Sequence, residues 1–279
     1  VLELTPLYDL IAIIFPIESM QLRFMQQALV GLLLLSPMTA FMGVQVVNLS
    51  MAFFVDAISH STFAGIALGL IFSINPHWSM PIFGLMVGLT IIATQRRSSL
   101  SIDTIIGVFF SGIVAFGLAV VSRDKTQSRN IQSFLYGDIL TITDNDIWAM
   151  FVLFVFLILF QIMSYNRMLY IAISPSLAKV HRIPVALYQY IYAALLSLVV
   201  IFSVRAVGVL LVTALLIVPA ATARNFSRSA GSMIWWAMLV SISSSIIGLL
   251  ISAQDWANTA TGATIILVAF VWFIISSLI

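Results

Sequence analysis

Asp56 and His60 stand four residues apart in Asp56-Ala57-Ile58-Ser59-His60, inside a run that otherwise reads as an apolar helix. Four residues are about one helical turn, so both side chains project from one face, where a carboxylate and an imidazole can hold one cation together. An ionised carboxylate in hydrocarbon costs roughly 2.5–3.5 kcal/mol on insertion scales, so it is rare without a partner, a water-filled cavity or a task. A lone intramembrane histidine is read first as a satisfied packing residue. An acid one turn away favours a functional reading. The other two histidines are plainer: His77, between Pro76 and Trp78, sits at a helix end, and His181 falls in a polar loop where it meets solvent or a partner.

The element that must carry this pair is a membrane span. The chain has 279 residues, 62% hydrophobic and 8% charged, with a mean hydropathy of +1.14. Apolar segments of about 18 residues or more recur along it, which excludes a water-soluble domain and predicts a polytopic membrane protein. Cysteine is absent, so disulfides and thiolate metal sites are excluded, and any metal ligand must be imidazole, carboxylate, thioether or carbonyl. The net charge of +2 is too small to point to nucleic acid. The first stretch carries Glu3, Asp9 and Glu18 and no basic region, unlike a cleaved signal peptide.

The expected fold is an all-α, polytopic transmembrane helical bundle of eight to nine spans, forming a single domain over residues 1–279. Residues 1–19 are too short and proline-interrupted to span and are expected to lie in the interface. Spans are expected at about 20–47, 53–74, 77–95, 102–122, a fifth ending near Tyr165, then 185–203, 206–224, 231–252 and 258–279. Pro37 is tolerated inside the first. Ala57, Ser61, Gly65 and Gly69 form a line of small residues on the second span, which reads as a packing face. Gly208 and Pro219 bracket an apolar run and are expected to break or kink the seventh, as in transporters whose broken helices line a pathway.

Two loops interrupt the apolar pattern. Residues 123–145 are expected outside the cell, with Arg123, Asp124, Lys125, Arg129, Asp138 and Asp144; Asp144 and Asp146 read first as helix caps and dipole partners. Residues 166–184 are expected in the cytoplasm, with Ser174-Pro175 starting a short helix and Pro184 stopping it. This orientation puts seven bases inside (Arg96, Arg97, Arg167, Lys179, Arg182, Arg224 and Arg228) and five outside. Five bases and eight acids give the outer face a net charge of −3, which concentrates cations there. The chain has no H-E-x-x-H metalloprotease motif, no phosphate-binding G-x-x-x-x-G-K-[ST] loop and no second membrane-depth aspartate for a protease dyad. Uphill transport would therefore draw on a gradient or on a separate ATPase chain.

Six segments in order carry a resemblance. They are Asp56 to His60 followed by Gly65-Ile66-Ala67-Leu68-Gly69; Ser101-Ile102-Asp103-Thr104; Tyr136-Gly137-Asp138-Ile139-Leu140; Ile173-Ser174-Pro175-Ser176-Leu177-Ala178; Gly208 through Leu216-Ile217-Val218-Pro219-Ala220-Ala221-Thr222-Ala223-Arg224; and Thr261-Gly262-Ala263-Thr264. Together they make the chain similar to the permease subunits of bacterial ATP-binding-cassette importers for zinc, manganese and related divalent metals. It departs from many of them in lacking a basic cluster between the first two spans and in its uncharged C-terminal end.

The resemblance implies a non-catalytic permease in the bacterial inner membrane, with no permanently bound cofactor. It implies two copies of the chain around a pathway, two cytoplasmic ATP-binding subunits and an extracytoplasmic metal-binding receptor. It assigns metal binding to Asp56 and His60, and ATPase coupling to Ser174, Pro175, Ser176, Leu177, Ala178, Lys179, His181 and Arg182. Zinc is the favoured cargo, with manganese or iron as alternatives. Two other readings remain open: a gradient-driven carrier in which Asp56 and His60 relay protons, and a scaffold in which they lock two helices.

Overall fold

The computed structural model describes residues 5–16, 18–122, 139–254, 256–257 and 259–278. The expectations for Glu3, for residues 123–138 and for Asp255 lie outside the described residues. In chain order the helices are α1 (Thr5–Ile14), α2 (Arg23–Asn48), α3 (Ala52–Ile71), α4 (Pro76–Arg97), α5 (Ile102–Val121), α6 (Asp144–Ile173), α7 (Pro175–Val180), α8 (Val185–Val207), α9 (Val209–Phe226), α10 (Ala230–Ser252) and α11 (Thr261–Ser277). The described residues contain no strand. Seven helices, α2 to α6, α8 and α10, are long and apolar enough to cross a membrane; α9 and α11 are apolar but shorter. The expected all-α polytopic bundle is the architecture found.

Local chemistry starts several of these helices. Asn75 accepts the His77 backbone N–H at 3.0 Å, with Pro76 as the first residue of α4. Ser101 caps α5, and Thr143 with Asp146 forms a capping box at the start of α6. Packing then divides the spans. α3 lies against α4 and α5, with α8 against α4, while α2 lies against α10 and α10 against α11. α9 touches α2, α3, α10 and α11 and so joins the two groups.

The line of small residues on α3 does pack, as its spacing implied: a Cβ on Gly65 would stand 3.1 Å from the Met80 Cα on α4. The closest approach lies elsewhere. A Cβ on Gly43 of α2 would stand 2.0 Å from the Leu216 carbonyl oxygen of α9, so these two backbones can meet only over a glycine. Gly43→Ala is expected to force the helices apart and cost about 2 kcal/mol, read as a lower unfolding temperature of the purified protein in detergent. Hydroxyls join α2 to α10 nearby: the Ser36 and Ser245 oxygens are 2.7 Å apart, and Ser241 donates to the Ser36 carbonyl at 3.0 Å.

At the end of the bundle where α6 starts, the two acids do more than cap. Asp146 holds its own helix start and also accepts from Arg205 of α8 at 2.6 Å. Asp144 accepts from Tyr8 at 2.6 Å, from Gln27 at 2.8 Å and from Arg23 at 3.3 Å, which ties α1 and α2 to α6. Burial, and after it the bond to Asp144, pushes the Tyr8 hydroxyl above its ordinary pKa.

Three boundaries differ from expectation. α6 does not end near Tyr165 but continues to Ile173, so the first residues of the 166–184 segment are helical. Arg167 explains part of this: its guanidinium lies 5.5 Å over the Tyr188 ring of α8 and donates to the Tyr188 hydroxyl, so a basic residue that is still exposed is also held by a tertiary contact. The break in the later spans is also simpler than expected. Gly208, at φ 94°, is the single residue between α8 and α9, in a conformation that side-chain-bearing residues rarely adopt. Pro219 does not break α9, because Ala220 and Ala223 are buried against Ala40, Val44 and Ala237 and hold the helix on both sides of the proline.

Candidate functional site

α3 carries both residues of the candidate site, and both are half-buried. Their surroundings differ. Asp56 accepts a hydrogen bond from the Thr213 hydroxyl, on the first turn and a half of α9 beyond the Gly208 joint. His60 stands edge-on to Phe110 of α5, with ring centroids 5.0 Å apart and an interplanar angle of 89°. No hydrogen bond from the described residues engages the His60 ring nitrogens, which leaves a lone pair free for a cation. The one face of α3 predicted for the pair thus opens where α5 and α9 approach from two sides.

Neither Thr213 nor Phe110 was picked out from the sequence. Thr213 had a usable signal, since it is the lone hydroxyl in Val209 to Val218, a run otherwise wholly apolar. Phe110 had none, being one of 20 phenylalanines. Among the described residues no group of three or more His, Asp or Glu side chains converges. Among the described residues, this face of α3 thus presents a carboxylate and an imidazole, side chains of the kinds that bind divalent transition metals.

The segment expected to couple to an ATPase forms the short helix α7 between α6 and α8. Ser174 is extended and accepts the Leu177 N–H at 3.3 Å, Pro175 is the first helical residue, and His181 ends the helix, its ring 5.3 Å from that of Tyr170. Arg182, at φ 56°, turns the chain into Pro184. Ala178 alone points inward, fully buried. Pro175, Ser176, Leu177, Lys179, Val180, His181 and Arg182 are exposed, so α7 offers the outside a mixed apolar and basic surface, with Val180, its last residue, 78% exposed.

A cavity of about 200 Å³ lies beneath α7. Its wall includes Pro175 of α7, Ala172 of α6, Gln189 and Tyr192 of α8, and Ser50 and Met51, which lead into α3. The space adjoins both Pro175, at the start of α7, and Met51, just before the helix that bears Asp56. Thr213→Val is expected to lower transport several-fold without abolishing it, because the carboxylate keeps its place but loses the donor that orients it. Uptake measured in membrane vesicles checks this.

The likeness to known proteins extends beyond these residues. Residues 21–279 match the model of the ABC 3 transport family. The chain is 32% identical over 249 residues to the high-affinity zinc uptake system membrane protein ZnuB of Haemophilus influenzae, covering 89% of this chain and 95% of that one. It is also 32% identical to the manganese import system permease protein ScaB of Streptococcus parasanguinis, over 92% of this chain and 90% of the relative. The solved structure of PsaBC from Streptococcus pneumoniae in complex with Fab superposes with a TM-score of 0.79 at 30% identity, covering 92% of this chain and 91% of that one. A match over nearly the whole length, on a bundle with an acid and an imidazole on one span and a short exposed helix between two others, places this chain in the ABC 3 transport family, as a multi-pass, non-catalytic permease subunit of a bacterial ATP-binding-cassette importer.

Proposed function

We propose that the chain forms the pathway for a divalent transition metal ion, zinc by preference and manganese or iron as alternatives, and that Asp56 and His60 are its ligands within the membrane. The observation that carries this reading is the half-buried carboxylate and imidazole on one face of α3, with the imidazole nitrogens free of hydrogen bonds from the described residues. The relatives named for zinc and for manganese uptake support the class of cargo equally, so the choice between them rests on ligand chemistry. Imidazole favours zinc, whereas one carboxylate per imidazole also accommodates a harder ion.

Zinc is usually held by four protein ligands in a closed site or by three with one open position. Two from the described residues of one chain leave the set incomplete, which favours a homodimer with two Asp56/His60 pairs about a shared pathway. α5 is suited to flank that pathway: it holds Phe110 against His60, yet only 22% of its apolar 18-residue stretch is buried in one chain, against 78% of the corresponding stretch of α2. A site built without thiolates also binds moderately, as a step in transport requires if the ion is to be released.

In this reading the α7 end faces the cytoplasm and seats in an ATPase, two copies of which serve the dimer, while a metal-binding receptor delivers the ion to the opposite end. ATP-driven closure of the ATPase pair pushes α7, the movement passes across the cavity shared by Pro175 and Met51, and α3 tilts to expose Asp56 and His60 to the other side. Transport by the permease reconstituted in liposomes tests the energy source. Zinc uptake that requires both the ATPase chain and ATP is the expected result. Uptake by the permease alone under a pH gradient would overturn it in favour of a secondary carrier.

A further inference from the structure

A groove of about 380 Å³ runs between α6 and α10, on a side of the bundle away from α3. Its apolar walls are Phe41, Ile158, Ile162, Trp235 and Met238, and its two polar members are Gln161 and Tyr165, one turn apart on α6. Gln161 is only 9% exposed, and among the described residues its Nε2 has no hydrogen-bond partner; the Tyr165 hydroxyl is equally buried and, among the same residues, equally unpartnered. Two donors buried without an acceptor are costly, so a native arrangement should supply one. Neither neighbouring helix does.

Depth indicates what the acceptor is. At about 1.5 Å of rise per residue, Gln161 lies roughly 26 Å and Tyr165 roughly 32 Å from the start of α6 at Asp144. A hydrocarbon core is about 30 Å thick. The two donors therefore stand where hydrocarbon gives way to headgroups, at the α7 end, and Trp235, 72% exposed beside them, suits the same boundary. The acceptors abundant at that level are the ester and phosphate oxygens of lipids. Arg228, exposed in the turn three residues before the groove-lining Gly231, adds a positive charge on the headgroup side.

We propose that this groove is a binding site for a single glycerophospholipid. Its acyl chain lies along Ile158, Ile162 and Met238, and its ester or phosphate oxygens accept from Gln161 Nε2 and the Tyr165 hydroxyl. The terminal torsion of a glutamine is soft, so the amide can turn toward the lipid without moving α6. This site is independent of the metal reading and requires only that the chain spans a bilayer.

The test uses the full-length chain with phosphatidylglycerol as probe, and compares it with the double variant Gln161→Met and Tyr165→Phe, which keeps shape and removes both donors. In detergent, added phosphatidylglycerol is expected to raise the melting temperature of the wild type and not of the variant. In nanodiscs, phosphatidylglycerol with brominated chains is expected to quench the fluorescence of Trp235, isolated by difference from Trp235→Phe, with about tenfold more lipid needed for the variant. Equal stabilisation and equal quenching of both proteins would overturn the proposal. So would a Trp235 that no lipid quenches because a second copy of the chain covers it. Should the double variant not fold, Tyr165→Phe alone decides by the same two measurements.

Discussion

His60→Ala is expected to abolish metal uptake while leaving the permease assembled with its ATPase. The imidazole is half-buried on α3 and makes one aromatic contact, with Phe110. Removing it therefore costs little packing and leaves no orphaned partner, so a folded variant should form. The loss falls on the ion. Second-shell changes at metal sites typically cost about 10–100-fold in affinity or activity, and deleting a ligand from a set this small should exceed that. Asp56→Asn should behave similarly, because it keeps the Thr213 bond within reach but removes the negative charge that balances a divalent cation. Radioactive zinc uptake in cells, with co-purification of the ATPase as the assembly control, reads both. Normal uptake by His60→Ala would end the case for a metal site on α3 while leaving the family intact.

The second large effect is expected far from that site. Arg205→Met should destabilise the fold by about 3 kcal/mol, because it strands the Asp146 carboxylate, whose side chain is only 10% exposed, without its cation. The figure sits at the low end for buried pairs because the Arg205 side chain is 23% exposed and because Thr143 continues to donate to Asp146 at 2.8 Å. Arg205 also lies in the last turn of α8, just before the Gly208 joint, so losing the bond should loosen the start of α9 and with it Thr213. A double-mutant cycle with Asp146→Asn separates the two contributions. Additive losses, measured by chemical unfolding in detergent, would show that the ion pair does not hold this corner together.

Whether a feature could be read from the chain depended on the distance over which it is determined. The Ser174-Pro175 start of α7 needed only neighbouring residues, since a serine accepting from the third residue on and a proline without an N–H define a helix start locally. The end of α6 did not follow the same rule. Asn166 and Arg167 look like loop residues by polarity, yet Tyr188, 21 residues further on, takes up the guanidinium and keeps the chain helical. Pro219 misled for a related reason. Proline removes one hydrogen bond, but small and apolar residues from two neighbouring helices, Ala40 and Val44 of α2 and Ala237 of α10, pack on both sides of it and let α9 continue.

The sequence by itself determined that the chain lives in a bilayer and that Asp56 and His60 share a face, because hydropathy is a sum over residues and helical period is a property of adjacent ones. It also marked Gly208, since a joint of one residue has few other solutions. What meets that face was decided only by the tertiary structure. Thr213 reaches Asp56 across 157 residues and Arg205 reaches Asp146 across 59, through contacts that arise from how helices pack rather than from any local pattern.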